Sequence, residues 1–148
     1  AKIWDVDGHV RFIQADAAQL PIDTGSVKLV VARLLLPYVV IRRTLMEVAR
    51  VLMPGGLVLF QTHGFRYYAS QLCHSGKAAR NALYYVRPII SGALFSVTGR
   101  QFRHRWMAET ALEGAMLESL AAALDLRPIW RAQGCHKPLM LFRKAQKS

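Results

Sequence analysis

The sequence predicts an α/β layer protein, and two observations carry that expectation. Apolar runs at Val10–Ala15, Lys28–Ala32 and Leu57–Thr62 each end in small, polar or turn-forming residues. A helical pattern over Arg42–Leu52 lies between the second and third runs. Strands joined by a helix build a layered sheet whose strand ends form a ligand-binding edge. The candidate site therefore begins at Asp16, where the first strand stops.

The elements can be taken in chain order. Ala1–His9 has two readings. One is the frayed end of a helix over Lys2–Asp7, favoured because Val10–Ala15 reads well as a strand entered from a loop. The other is a hairpin turning at Asp7-Gly8, which would join Ile3–Val6 to Val10–Ile13. After Asp16, Leu20-Pro21 stops regular structure and Thr24-Gly25-Ser26 forms a turn. Lys28–Ala32 has almost no polar alternation, the pattern of a parallel strand covered on both faces. Leu45, Val48, Ala49 and Leu52 recur at helical spacing, and Pro54 with Gly55-Gly56 is read as the end of that helix.

Beyond the third strand the chain changes character. Residues 65–106 interleave Tyr67, Tyr68, Tyr84, Tyr85, Phe95, Phe102 and Trp106 with basic residues. Leu72–Val86 reads as helical, Pro88 breaks it, and Gly92 and Gly99 loosen the chain beyond that break. The whole segment is read as an insertion over the strand ends within one domain. Glu109–Leu124 is the clearest helix, with Leu112, Met116, Leu120 and Leu124 on one face. Glu109 and Glu113 near its start would favour the helix dipole. Arg127–Ala132, a turn at Gly134 and Leu139–Arg143 read as a closing antiparallel strand pair.

Composition bounds the function. A chain of 148 residues, 53% hydrophobic, can bury a real core and is not disordered. Cys73 and Cys135 are too few and too far apart for a disulfide framework or a zinc cluster, which makes a reducing cytoplasm the default and no metal expected. No apolar run reaches the length of a membrane span, since Leu29–Ile41 is broken by Arg33 and Pro37. Lys and Arg number 20 against 9 Asp and Glu, a net charge of +11. No acidic residue lies between Glu47 and Glu109, where Arg50, Arg66, Lys77, Arg80, Arg87, Arg100, Arg103 and Arg105 all fall. Such a block is either a solvated basic face or an attractor of phosphates, nucleic acid or an acidic surface.

Three pieces in sequence carry a resemblance: strand–Asp16-Ala17 with Leu20-Pro21, then Ser26 with Leu29-Val30-Val31, then Arg50-Val51-Leu52-Met53-Pro54-Gly55-Gly56 before a strand. In this order the chain resembles the class I S-adenosylmethionine-dependent methyltransferases, in their small-molecule and ubiquinone-biosynthesis-like branch. The match covers Val10–Thr62 well and Glu109–Lys144 in outline. The resemblance implies a Rossmann-like sheet closed by an antiparallel strand pair, with S-adenosylmethionine as cofactor. It implies that Asp16 accepts a hydrogen bond from the adenine amino group and that the backbone N–H of Ala17 meets a ring nitrogen. Ala32 and Arg33 would lie beside the methionine part.

The chain also departs from that family. Its members open with a strand and a glycine-rich loop, yet no Gly-x-Gly occurs here and few residues precede Asp16. Asp5 and Asp7 lie too close to the next strand to serve as the ribose acid. Val27-Lys28 stands where Phe-Asp is usual, and no His accompanies Pro37-Tyr38. These departures lead to the expectation of an amino-terminally truncated domain that binds the cofactor weakly or not at all. In the family's sheet the two strands not found lie between Val10–Ala15 and Lys28–Ala32, so the first strand must pair with a new neighbour or hang loose. The resemblance implies a small-molecule or lipid-like methyl acceptor, and aromatic plus cationic side chains suit a flat or apolar one carrying a negative group. RNA is the alternative, reached through the basic insertion. A third reading is a non-catalytic interaction module. His63, His74 and His104 are the candidate general bases by chemistry.

Overall fold

The computed structural model describes residues 2–6, 8–74, 79–101, 109–132 and 137–146. Asp7, Lys77, Phe102, Arg103, His104, Arg105, Trp106, Gly134 and Cys135, singled out above, lie outside the described residues. So do the side chains of Lys2–Val6, His74 and 79–81. The strands are β1 (Lys2–Val6), β2 (Val10–Gln14), β3 (Val27–Arg33), β4 (Leu52–Gln61), β5 (Leu126–Arg131) and β6 (Leu139–Lys144). The helices are α1 (Ile41–Val51), α2 (Phe65–His74), α3 (Ala79–Thr98) and α4 (Gly114–Ala122).

The expected mixed α/β sheet is present, with strand order β3-β4-β6-β5. Strands β3 and β4 run parallel through the crossover helix α1, while β6 is antiparallel to both β4 and β5. The closing pair β5–β6 stands where the sequence placed it. The first strand finds a new neighbour, as required, but the favoured helix end is wrong. Lys2–Val6 is a strand paired with Val10–Gln14 from Lys2↔Gln14 to Val6↔Val10. Gly8 sits at φ +70, a conformation that glycine adopts without strain, so the turn chemistry decided this element.

The sheet buries one face. Ala32, Val58, Phe60, Met140 and Phe142 pack against Ile41, Leu45 and Val48 of α1, Phe95 of α3, and Leu117 and Ala121 of α4. Each large apolar side chain fully buried in this way contributes about 1.5–3 kcal/mol. Phe60 and Phe142 meet edge to face with ring centroids 5.8 Å apart. The other face of β3 is bare. Leu29 is 54% exposed and Val31 60% exposed, against the expectation of a strand covered on both sides. A continuous apolar run does not distinguish a strand covered twice from one covered once.

Three further expectations are corrected by tertiary contacts. Helix α1 ends at Val51 with an extended Leu52, and the strand starts there rather than at Leu57. The left-handed glycine is Gly55, at φ +76 inside β4, where the β3–β4 register slips. The helix end is instead held by Lys144, whose Nζ donates to the carbonyls of Ala49 and Leu52 at 2.6 Å. Pro88 does not break α3, which runs through it to Thr98 and stops at Gly99, φ +65. Finally, residues 109–113 are not helical. Thr110, Ala111 and Leu112 donate their N–H groups to the carbonyls of Pro37, Pro88 and His63. This strap ties three elements together, and only then does α4 begin at Gly114.

Candidate functional site

The parallel strands β3 and β4 end on the same edge of the sheet. Leu34, just past β3, takes φ +55 and donates its N–H to the carbonyl of Gln61 at 2.8 Å. The chain then turns into a short 3-10 helix, Leu36–Tyr38. Past the end of β4, Thr62 donates its N–H to Pro138 O and its hydroxyl to Leu112 O, so the next residue, His63, is carried inward. His63 is only 6% exposed.

Around His63 the 3-10 turn, α2, α3 and the strap bring together one ionisable cluster. Tyr68, buried, donates its hydroxyl to Glu109 Oε2 at 3.0 Å. Tyr84 of α3 donates to Glu109 Oε1, also at 3.0 Å. The Tyr68 oxygen lies 3.4 Å from Nδ1 of His63. Tyr67 stacks on the imidazole, with centroids 4.0 Å apart and planes inclined by 16°, and the Lys137 ammonium lies 5.0 Å from that tyrosine ring. Among the described residues, Nε2 of His63 is buried and has no hydrogen-bond partner.

The electrostatics follow from burial beside one carboxylate. Burial, and then the charge of Lys137, hold the His63 imidazole below its ordinary value, with Glu109 opposing them. Burial and then Glu109 push the Tyr68 and Tyr38 phenols up. Tyr84 is pushed up to about 12, first by its hydrogen bond to Glu109. All three tyrosines therefore stay neutral donors across the physiological range.

The neighbouring elements hold this cluster in place. Glu113 accepts from the N–H of Phe65, placing a carboxylate at the start of α2 rather than serving its own helix dipole. Gln101 donates to Val39 O and accepts from the N–H of Ile41, filling the start of α1. Gly92 lets the strap approach α3, since a Cβ there would meet Ala111 O at 2.3 Å.

Among the described residues, those expected to hold a cofactor are not gathered into one pocket. Asp16 is exposed, and its Oδ1 accepts the N–H of Ala18 at 2.9 Å, the turn-capping role open to an Asp after a strand. Ala17 lies inside that turn, half-buried. Ala32 is 4% exposed and belongs to the core. Arg33 is exposed at the end of β3, its Nε donating to Gln61 Oε1 at 2.9 Å. Among the described residues no hydrogen bond or ion pair joins Asp16 to Arg33. His63 is the expected base that the structure buries in a polar cluster. The link to Glu109 was not foreseen, although the sequence held a signal for it: Glu109 is the first acid after the long acid-free stretch. Among the described residues no group of three His, Cys, Asp or Glu side chains is placed to hold a metal ion. Nor is any helix there long and apolar enough to cross a membrane.

Comparison with known proteins shows what the chain is similar to. Residues 2–60 match the family described as a methyltransferase domain. A search of curated protein sequences gives no match. Among solved structures, an S-adenosylmethionine-dependent methyltransferase from Methanosarcina mazei aligns with a TM-score of 0.57 at 19% identity, over 90% of this chain and 66% of its own. The complex of the Haloferax volcanii Trm112 methyltransferase activator with a methyltransferase gives 0.63 at 15% identity, over 97% and 65%. A Burkholderia thailandensis 1,6-didemethyltoxoflavin-N1-methyltransferase, solved with that substrate and S-adenosylhomocysteine, gives 0.61 at 12% identity, over 95% and 53%. This chain thus spans 53–66% of the length of these solved chains. Its fold is similar to that of these S-adenosylmethionine-dependent methyltransferases, and residues 2–60 match the methyltransferase-domain family.

The family's cofactor is S-adenosylmethionine, and the residues here fit it in part. A carboxylate acceptor at Asp16 suits an exocyclic amine. Beside Arg33, however, the cavity lined by Val31, Arg33, Leu59, Gln61 and Leu139 holds about 50 Å³. That is room for a few waters and not for a nucleoside.

Proposed function

We propose that this chain forms the acceptor side, and part of the cofactor wall, of a cytoplasmic S-adenosylmethionine-dependent methyltransferase acting on a small-molecule or lipid-like acceptor. Asp16 and Ala17 serve the adenine, and Ala32 and Arg33 the methionine part, Ala32 through its backbone because its side chain is in the core. Residues 65–106 act as the insertion that covers the acceptor. One observation carries the reading: His63, Tyr67, Tyr68 and Glu109 converge beside the edge where β3 and β4 end. Ligands bind at that edge in open α/β sheets. Methyl transfer asks mainly that a protein hold two reactants in line, so an ionisable aromatic cluster at this edge is the feature the reading needs. A small acceptor is favoured over RNA because the aromatic groups are organised around a carboxylate, Glu109, which repels a phosphate backbone.

The test is an amide-resolved NMR titration of the 148-residue chain with S-adenosylhomocysteine. Perturbations are expected at Ala17, Ala32 and Arg33, with weak affinity of roughly millimolar order, about 4 kcal/mol. They should vanish in Asp16→Ala. Silence at these positions at millimolar ligand overturns the reading, and micromolar binding overturns its claim that the wall is incomplete.

A further inference from the structure

We propose that Arg127 and Arg143 form a binding site for a phosphate monoester carrying an apolar group, on the face of the sheet that the helices leave bare. The site is separate from the His63 cluster and does not rest on the methyl-transfer reading.

The closing strand pair brings two cations together. Arg127 of β5 and Arg143 of β6 stand directly opposite one another in register, and both are exposed. Like charges directly opposite on neighbouring strands are destabilising. The same row continues through Leu57 of β4 to Leu29 of β3, so the arginines share their face with an apolar strip. Among the described residues the ion pairs are Arg50–Glu47 and Arg131–Glu118, and neither Arg127 nor Arg143 has an acidic partner. Arg131 is the contrast. It stands opposite the buried Met140, on the covered face, and Glu118 of α4 neutralises it.

The two arginines border a cavity of about 430 Å³, together with Ile129, Lys144, Ala145 and Gln146. That volume is in the range of small-molecule sites, whereas the cavity beside Arg33 holds about 50 Å³. Ile129 falls at the register slip between Pro128 and Trp130 and gives the cavity an apolar wall. The Lys144 ammonium adds no charge to the cavity, because it is committed to the carbonyls of Ala49 and Leu52. The cavity lies toward the end of the sheet where β3 begins, away from the edge where β3 and β4 end.

Charge complementarity selects the ligand. A guanidinium is a planar fork that grips the oxygens of a carboxylate or phosphate in pairs. A carboxylate cancels one of the two cations. A phosphate monoester carries roughly −1.5 to −2 near neutral pH and offers three free oxygens, enough for both forks. Its ester oxygen carries the organic group, which lies against Ile129. A ligand held only by the folded pair also stabilises the fold, because it replaces repulsion by attraction.

The experiment is thermal denaturation of the 148-residue chain near neutral pH, in phosphate and in chloride at matched ionic strength. Phosphate should raise the melting temperature of the wild-type chain above its value in chloride. Arg127→Gln and Arg143→Gln should each lose that gain while remaining at least as stable as the wild type in chloride, since each removes a like-charge contact. Equal melting temperatures in the two salts, or a gain that survives in both variants, overturns the proposal. Calorimetry with phenyl phosphate should give affinity about tenfold tighter than with inorganic phosphate, because the ring meets Ile129. Equal affinities overturn the apolar half of the site. Each Arg→Gln variant should weaken phenyl phosphate about tenfold or more. Phosphatidylcholine vesicles containing phosphatidic acid separate the sources of the ligand. Binding that phenyl phosphate displaces assigns the site to a lipid headgroup, and binding of phenyl phosphate without vesicle binding assigns it to a soluble ester.

Discussion

His63 couples the site to the stability of the fold. Its ordinary value is 6.5, and burial holds the folded imidazole below that. Between the two values the unfolded chain binds more protons than the folded one, so stability rises with pH through this window. The contribution is complete above pH 6.5 and is lost as the pH falls toward the folded value. We expect the melting temperature to fall on acidification from about pH 7.5 to about 5.5, and His63→Gln to flatten that slope in a thermal-denaturation series. Glu47 acts lower on the scale. Its hydrogen bond to Arg50 holds the carboxyl below 4.5, so its contribution is lost only on acidification past that point. At Gly92 the sign is set by space alone. A Cβ would meet Ala111 O at 2.3 Å and the Phe65 ring at 2.7 Å. Gly92→Ala should cost about 1–3 kcal/mol in the denaturation midpoint, because backbone of the strap must move.

At the scale of elements, what was legible had local causes. β3, α1, β4 and the β5–β6 pair were visible because each has its own periodicity and stop signals. What was not legible depended on partners distant in sequence. Leu112 in the strap continues the helical spacing of Met116, Leu120 and Leu124, yet the N–H groups of Thr110, Ala111 and Leu112 go to Pro37, Pro88 and His63. Helix α3 continues through Pro88 because Ser91 and Phe95 beyond it are buried. The site was legible only as single residues. His63 was a candidate by chemistry, while its chain through Tyr68 to Glu109 joins residues distant in sequence that only the fold brings together. The loop after Asp16 is also fastened from a distance. Arg50 donates to Leu20 O, Ile22 O, the Thr24 hydroxyl and Glu47, and Leu20 N–H donates to the same Glu47. Arg50→Ala should therefore release the 16–26 loop while leaving α1 formed. Limited proteolysis should show new cleavage there, with helical circular dichroism unchanged.

For the molecule as a whole, the sheet presents a hydrophobic surface that the helices leave uncovered. Val31 pairs with Leu59, Leu59 with Leu141, and Leu141 with Trp130, forming one apolar row across all four strands. Val31 is 60% and Trp130 50% exposed, and Leu29 in the adjoining row is 54% exposed. Among the described residues β3 is also an edge strand, with its outer backbone groups unpaired within the sheet. An apolar face joined to an open edge is the geometry that favours association between chains. The net charge of +11 opposes it through repulsion, which salt screens. The 148-residue chain should therefore bind a hydrophobic dye and self-associate more strongly as ionic strength rises. Leu29→Lys with Val31→Lys should abolish both, each substitution changing folding stability by no more than about 0.5 kcal/mol because it alters a surface position. Sedimentation velocity at low and high salt decides the matter. A wild-type chain that stays monomeric and dye-free in both would show that this face does not drive association.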